Sequence, residues 1–178
     1  MRIIGGENKN YRFQLCKNLK IRPTTDSCKE NLFNILNNIY DFSKIKVLDL
    51  FSGSGNISYE FISRGSIVTS VEQNSKCIQF IKHNIEKLNT TKSTINHVNA
   101  FKYLKECSNQ FDLIFADPPF NFEKNIYLKL IELIYNKNML ADNGMLIIEH
   151  NKFLNFNDSI YFYQNRQYGD VNFSFFKL

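Results

Sequence analysis

Phe111-Asp-Leu-Ile-Phe-Ala-Asp-Pro-Pro-Phe120 is the stretch whose reading decides the fold. Five of its first six residues are apolar, as in a strand buried on both faces of a parallel sheet. The strand must stop at Asp117-Pro118-Pro119, because two prolines cannot continue a ladder. Its carboxyl end then offers a carboxylate, free main-chain carbonyls and the ring of Phe120, at the edge where open α/β sheets hold their ligands.

Upstream, residues 47–51 read as another buried strand, followed by the turn Ser52-Gly53-Ser54-Gly55 and a short helix to about Arg64. A strand at 67–72, a helix at 75–88 with Ile78, Ile81, Ile85 and Leu88 at helical spacing, a strand at 95–98 and a helix at 101–107 complete that half. Downstream come a helix at 123–135, a strand at 144–150, and an antiparallel pair at 159–164 and 171–177 joined by Arg166-Gln167-Tyr168-Gly169-Asp170. Repeated strand–helix alternation implies an α/β fold: a mostly parallel seven-stranded sheet with helices on both faces and an antiparallel closing hairpin.

At the amino end, residues 2–15 alternate as a small β-hairpin around Gly5-Gly6, with Tyr11, Phe13 and Leu15 on one face. Arg22-Pro23-Thr24-Thr25 follows as a stiff cationic connector. Ser27-Cys28-Lys29-Glu30 fits a capping box opening a helix, whose stripe is Leu32, Phe33, Ile35, Leu36 and Ile39. A length of 178 residues fits one domain, divided into a basic arm at 1–25 and a catalytic core at 26–178.

The net charge of +5 is unevenly placed. Through Lys29 there are seven cations (Arg2, Lys9, Arg12, Lys17, Lys20, Arg22, Lys29) and two anions, while the remainder carries fifteen of each. The whole excess therefore sits at one end, the pattern of a polyanion-binding arm. Apolar runs are too short to span a bilayer, and no secretory leader precedes Gly5-Gly6. Cys16, Cys28, Cys77 and Cys107 form no CxxC pair, which points to reduced thiols in a cytoplasmic protein without a metal site. His83, His97 and His150 have no metal spacing, and none is assigned a catalytic role.

Three strand ends carry the chemistry. Asp49 lies at the first, where Gly53 and Gly55 let the following turn approach a ligand. Glu72 ends the second, where a carboxylate accepts hydrogen bonds from ribose hydroxyls. Asn99 follows the third, where an amide suits an adenine amino group. A glycine turn with an acidic second strand also fits a dinucleotide. Against that, Ser58 occupies the third glycine position, and Asp49 would repel a pyrophosphate but attract an ammonium or sulfonium. At the Asp117 edge, the carboxylate and the Pro118 carbonyl suit the two N–H bonds of an exocyclic amine. Phe120 suits stacking on the base, worth about 1–3 kcal/mol. Methyl transfer to such an amine needs positioning more than acid–base chemistry.

Asp49-Leu-Phe-Ser-Gly-Ser-Gly55, Glu72 and Asp117-Pro118-Pro119-Phe120 resemble the S-adenosylmethionine-dependent class I methyltransferases, with their Rossmann-like fold. Met1-Arg-Ile-Ile-Gly-Gly6, Arg22-Pro-Thr-Thr-Asp26, Glu30 with Phe33, Ser63-Arg64-Gly65 and Tyr168-Gly169 are similar to the RsmD family, which methylates the guanine N2 amine in 16S ribosomal RNA. The resemblance covers essentially the whole chain. It implies cofactor contacts at Asp49, Phe51, Gly53, Gly55, Glu72, Asn99 and Ala100 and target-base contacts at Asp117, Pro118, Pro119 and Phe120. It also implies RNA contacts at Arg2, Arg12, Lys20, Arg22 and Thr24, with 16S rRNA in an assembled or assembling small subunit as partner of a monomeric enzyme. Phe120 stands where tyrosine is usual, Asn99 replaces the usual aspartate, and the segment before the closing hairpin is short. The same edge also fits an amine methyltransferase acting on another RNA or on DNA adenine. A non-catalytic RNA-binding assembly factor on this fold is the reading from another class.

Overall fold

The computed structural model describes residues 1–14 and 24–177. Seven strands form one sheet: β1 (Lys46–Leu50), β2 (Ile67–Glu72), β3 (Ser93–His97), β4 (Phe111–Ala116), β5 (Leu140–Asn151), β6 (Phe162–Tyr168) and β7 (Val171–Phe176). Their order is β3-β2-β1-β4-β5-β7-β6, with β1 to β5 parallel and β7 antiparallel between β5 and β6. Chain order runs outward one way from β1 to β3 and the other way from β4, so the topological switch falls between β1 and β4. Asp49 and Asp117 stand on either side of it.

The central strands are apolar because both faces are covered. Val47, Leu48, Leu113, Ile114, Leu146 and Ile147 are all fully buried. Helix α1 (Asp26–Asn37) meets α2 (Asn56–Ser63) through the rings of Phe33 and Phe61, Asn84 of α3 (Ser75–Leu88) donates to Tyr59 of α2, and α4 (Ala100–Glu106) contacts α5 (Lys124–Asn136). No helix among the described residues is long and apolar enough to cross a membrane.

Several boundaries differ from expectation for local reasons. Helix α1 is capped by Thr25, whose hydroxyl accepts from the Cys28 N–H at 3.2 Å, and not by Ser27. Glu30 is then two residues past the position that closes a capping box, and it is exposed. The helix ends at Asn37, which leaves Ile39 outside the apolar stripe and 47% exposed. Strand β5 begins at Leu140, ahead of an irregularity in its pairing with β4. Strand β6 runs to Tyr168, so only Gly169 (φ +63°) and Asp170 make the hairpin turn. The edge position of β6 leaves Gln164, Asn165, Arg166 and Gln167 without the apolar alternation that marks a strand.

The amino-terminal hairpin is held by main-chain bonds from Ile3 to Tyr11, Asn10 to Ile3 and Phe13 to Met1, with one ladder bridge at Arg2 and Arg12. It lies against the body of the protein. Ile3 and Phe13 are buried, and Phe13 stacks on Tyr59 of α2 with ring centroids 4.3 Å apart. Ser63 accepts the Glu7 N–H at 2.7 Å, and a Cβ at Gly6 (φ +78°) would stand 2.0 Å from that same carbonyl oxygen. Leu15, Lys17, Lys20, Arg22 and Pro23 lie outside the described residues.

Lys29, counted by charge as part of the basic arm, is fully buried. Its ammonium donates to the Arg2 carbonyl, Asn56 Oδ1 (3.1 Å) and Glu60 Oε1 (2.9 Å), and pairs with Asp26 at 3.3 Å. Glu60 is buried too, and accepts from the Ile4 N–H (2.8 Å) and from Arg64. Truncating one partner of such a pair strands the other charge. Lys29→Ala should therefore cost about 3–5 kcal/mol in urea unfolding. Lys124→Ala, at an exposed pair with Asp158, should have a much smaller effect.

Candidate active site

A cleft of about 440 Å³ opens at the carboxyl ends of β1, β2, β4 and β5, within the usual size range for small-ligand sites. Its walls include Thr24, Phe51, Gly53, Glu72, Gln73, Ala100, Asp117, Pro118, Pro119, Phe120 and Glu149. Glu72, Asp117 and Glu149 give this lining its only charges among the described residues, and all are negative.

Each wall follows from local geometry. Phe51 is the first residue off β1 and adopts a left-handed conformation (φ +59°), which costs a non-glycine residue about 1–3 kcal/mol. Its ring meets Phe101 and Phe122 edge-on, at 6.2 and 6.1 Å between centroids. Gly53 follows, also left-handed, and its N–H donates to Glu72 Oε2 at 2.8 Å. The other Glu72 oxygen accepts from the Asn74 N–H at 2.7 Å. Carboxylate oxygens have two lone pairs each, so Glu72 keeps acceptor capacity towards a diol.

Asp49 and Gly55 lie beside the cleft without lining it. Asp49 is 1% exposed and accepts from Ser58 Oγ at 2.5 Å. Burial pushes its carboxyl up to about 7, with the Ser58 hydrogen bonds opposing and Glu72 and Glu149 adding to the rise. Gly55 (φ +79°) precedes α2, where a Cβ would stand 2.8 Å from the Tyr59 ring. Asn99, expected to face an adenine, caps α4 instead: Oδ1 accepts from Phe101 and Lys102, and Nδ2 donates to Gln73 at 2.9 Å. Gln73 takes the place on the wall.

On the other side, Asp117 is half-buried. Its carboxyl is held well above the usual range by burial first, then by Glu149 and Asp49. The Pro119 carbonyl accepts from Tyr127 at 3.5 Å, and Asn151 Nδ2 donates to the Phe120 carbonyl at 3.4 Å, steadying the turn from both sides. Sequence attention at the end of β5 falls on His150, but alternation turns that side chain into the core. There it is fully buried and held by Ser174 Oγ and the Asn151 carbonyl, both at 2.8 Å. Burial lowers its pKa. Glu149, one residue earlier, faces the cleft, and its Oε2 accepts from Thr24 Oγ1 at 2.9 Å. A lone glutamate directly after the apolar run Met145–Ile148, on the same strand, was the signal for it.

Of the residues expected to meet RNA, Thr24 lines the cleft. Arg2 is paired with Asp26 at 3.1 Å, Arg12 is exposed, and Lys20 and Arg22 lie outside the described residues.

The described lining of the cleft at the switch point is acidic and fits a cationic cofactor, with Glu72 and Gly53 on one wall and the Asp117 turn on another. Together with a sheet whose β7 inserts antiparallel between β5 and β6, this is the site and fold of an S-adenosylmethionine-dependent class I methyltransferase. The chain belongs to the RsmD family: the family model described as Conserved hypothetical protein 95 matches residues 1–177. It is 35% identical to ribosomal RNA small subunit methyltransferase D of Buchnera aphidicola subsp. Baizongia pistaciae, over 87% of this chain and 78% of that one. Identity to the Haemophilus influenzae protein of the same name is 32%, over 85% and 79%. The solved structure of Escherichia coli yhhF superposes with a TM-score of 0.85 at 26% identity, covering 99% and 96% of the two chains. A Thermus thermophilus 16S rRNA N2 methyltransferase (RsmC), solved with AdoMet and guanosine, shares the fold at TM-score 0.70 and 19% identity, over 86% and 43%.

A cation bound near Asp49 would favour its ionised form. Cofactor binding at pH 7 should therefore release protons, and affinity should fall as pH drops below 7. Calorimetry in two buffers of different ionisation enthalpy measures the release, which Asp49→Asn should remove.

Proposed function

We propose that this protein methylates the exocyclic N2 amine of a guanine in 16S ribosomal RNA, acting as a monomer in the cytoplasm on an assembled or assembling small subunit. The observation that carries this reading is the shared wall of the cleft, where Asp117, Pro118 and Phe120 face Glu72 and Gly53. The relatives' names, small subunit methyltransferases, support an rRNA substrate. When bound, S-adenosylmethionine supplies an electrophilic methyl group on a sulfonium.

The residues then have separate tasks. Glu72 and Gly53 hold the ribose end of the cofactor, and Phe51 and Ala100 wall its base. Asp49 contributes negative charge from beneath. Asp117 and the Pro118 carbonyl accept the two N–H bonds of the amine, which directs the nitrogen lone pair along the line of attack. The raised pKa of Asp117 lets it take the proton that the methylated amine gives up. Phe120 stacks on the base.

In this reading residues 1–25 are the RNA-docking arm and 26–178 the catalytic core. The cationic surface at this end of the chain is smaller than the charge count through Lys29 implied, because Lys29 is buried and Arg2 is paired. Lys9 and Arg12 are exposed cations of the described part.

Unmodified small subunits, free RNA and DNA should be incubated with the enzyme and S-adenosylmethionine, and the product mapped by mass spectrometry. N2-methylguanosine in 16S rRNA is expected; methylated adenine, or no product, refutes the reading. Asp117→Ala should lower turnover by about 100-fold or more while cofactor binding survives. With about five phosphates contacted, log affinity for RNA should fall against log salt with a slope of about −3.5. The double variant Lys9→Ala, Arg12→Ala should make it shallower by about 1.4.

A further inference from the structure

We infer that Asn151 is a positioning residue for methyl transfer: its side-chain amide clamps the main chain of Phe120 and so sets the ring on which the target base stacks. This rests on the function proposed above and deepens it, by naming a group outside the cleft lining on which turnover depends. The chain from Asp117 to the start of α5 belongs to no strand or helix. Its first residue is tied to β1, where the Asp117 N–H donates to the Leu50 carbonyl at 3.3 Å. The Pro119 carbonyl is engaged from nearby in the chain, by the Phe122 N–H at 2.9 Å and by Tyr127 of α5. Phe120 is held from β5, by Asn151 Nδ2, 31 positions away. A phenylalanine ring has no hydroxyl by which to be held, so its main chain and its packing decide where it lies.

Each end of the Asn151 amide meets a group whose role is fixed. The Phe153 N–H can only donate, and it meets Oδ1 at 3.0 Å; the Phe120 carbonyl can only accept, and it meets Nδ2 at 3.4 Å. Those two partners determine which way the amide faces. The main chain beneath it is also pinned. Asn151 pairs with Val171 in the ladder of β5 and β7, and its carbonyl accepts from His150 Nδ1 at 2.8 Å and from the Leu154 N–H at 3.3 Å. Val171 and Phe120 both line the cleft, so the clamp joins two of its walls. The position demands an amide. An aspartate has the same shape and would still accept from Phe153, but its second oxygen would face the Phe120 carbonyl, acceptor against acceptor. The base that stacks on Phe120 must bring its amine to Asp117 and Pro118, and a misplacement of about 1 Å can cost about 100-fold in rate.

The test compares kcat at saturating RNA for wild type, Asn151→Ala and Asn151→Asp, with S-adenosylmethionine affinity measured by calorimetry. Asn151→Ala should lower kcat by about 10-fold and Asn151→Asp at least as far, while cofactor affinity stays unchanged. The isosteric Asn151→Asp keeps the Phe153 bond, so it serves if the alanine variant does not fold. A double-mutant cycle then separates positioning from a merely structural role. In a Phe120→Ala enzyme there is no ring to place, and Asn151→Ala should have almost no further effect on kcat. Wild-type kcat in both Asn151 variants would overturn the inference while leaving guanine methylation intact. So would an Asn151→Ala effect as large in the Phe120→Ala enzyme as in the wild type, or a loss of cofactor affinity by the same factor as kcat. If the wild-type enzyme methylates no guanine of 16S rRNA, the proposed function itself fails and this inference with it.

Discussion

The buried pair of Lys29 and Glu60 ties together parts of the chain that have no ladder in common. Taking both charges out of water is costly, and the cost is offset only where every remaining donor and acceptor finds a partner. Here they do: Lys29 reaches the Arg2 carbonyl and Asn56, while Glu60 takes the Ile4 N–H and Arg64. The amino-terminal hairpin, α1 and α2 are thereby fixed to one another. Arg64 lies over the Phe33 ring at 4.1 Å, which couples the network to the apolar packing beneath α1. Asn56 extends the same network to the Thr24 carbonyl at 2.8 Å. The cleft wall formed by Thr24 is therefore held from the far side by a charge pair that never touches the cleft.

The cleft is built on the opposite electrostatic principle. Its charged lining among the described residues is carboxylate, and burial lifts Asp49 and Asp117 towards neutrality. Such a cluster favours a cationic ligand such as a sulfonium. The strained Phe51 and the turn at Asp117-Pro118-Pro119 belong to the same design, in which the switch point between β1 and β4 is kept open by backbone that cannot continue the sheet. Phe153, 84% exposed, donates its N–H to the side chain of Asn151, which holds the Phe120 carbonyl.

Much of this was legible from residue order, and the parts that were not have common causes. The parallel strands were readable because double-sided burial demands unbroken apolar runs. Asp117-Pro118-Pro119 was readable because proline stops a ladder wherever it occurs. The partners of Lys29 were not, since a lysine in sequence looks the same whether its ammonium is in water or against Glu60, 31 positions away. Asn99 was assigned by its place after a strand, yet an asparagine there is equally suited to cap the following helix, and the cap took its oxygen. Glu149 and His150 are neighbours in sequence, and only alternation on a strand of known orientation separates a cleft residue from a core one.

Sequence alone determined the fold class, the edge of the sheet that forms the cleft and the Asp117-Pro118-Pro119 turn, because each follows from hydrophobic period or from proline geometry within a few residues. Tertiary structure decided which charges are spent and which remain. It buried Lys29, paired Arg2, turned His150 inward and set Glu149 beside Asp117, because long-range pairing and strand register depend on residues that approach one another only when the sheet closes.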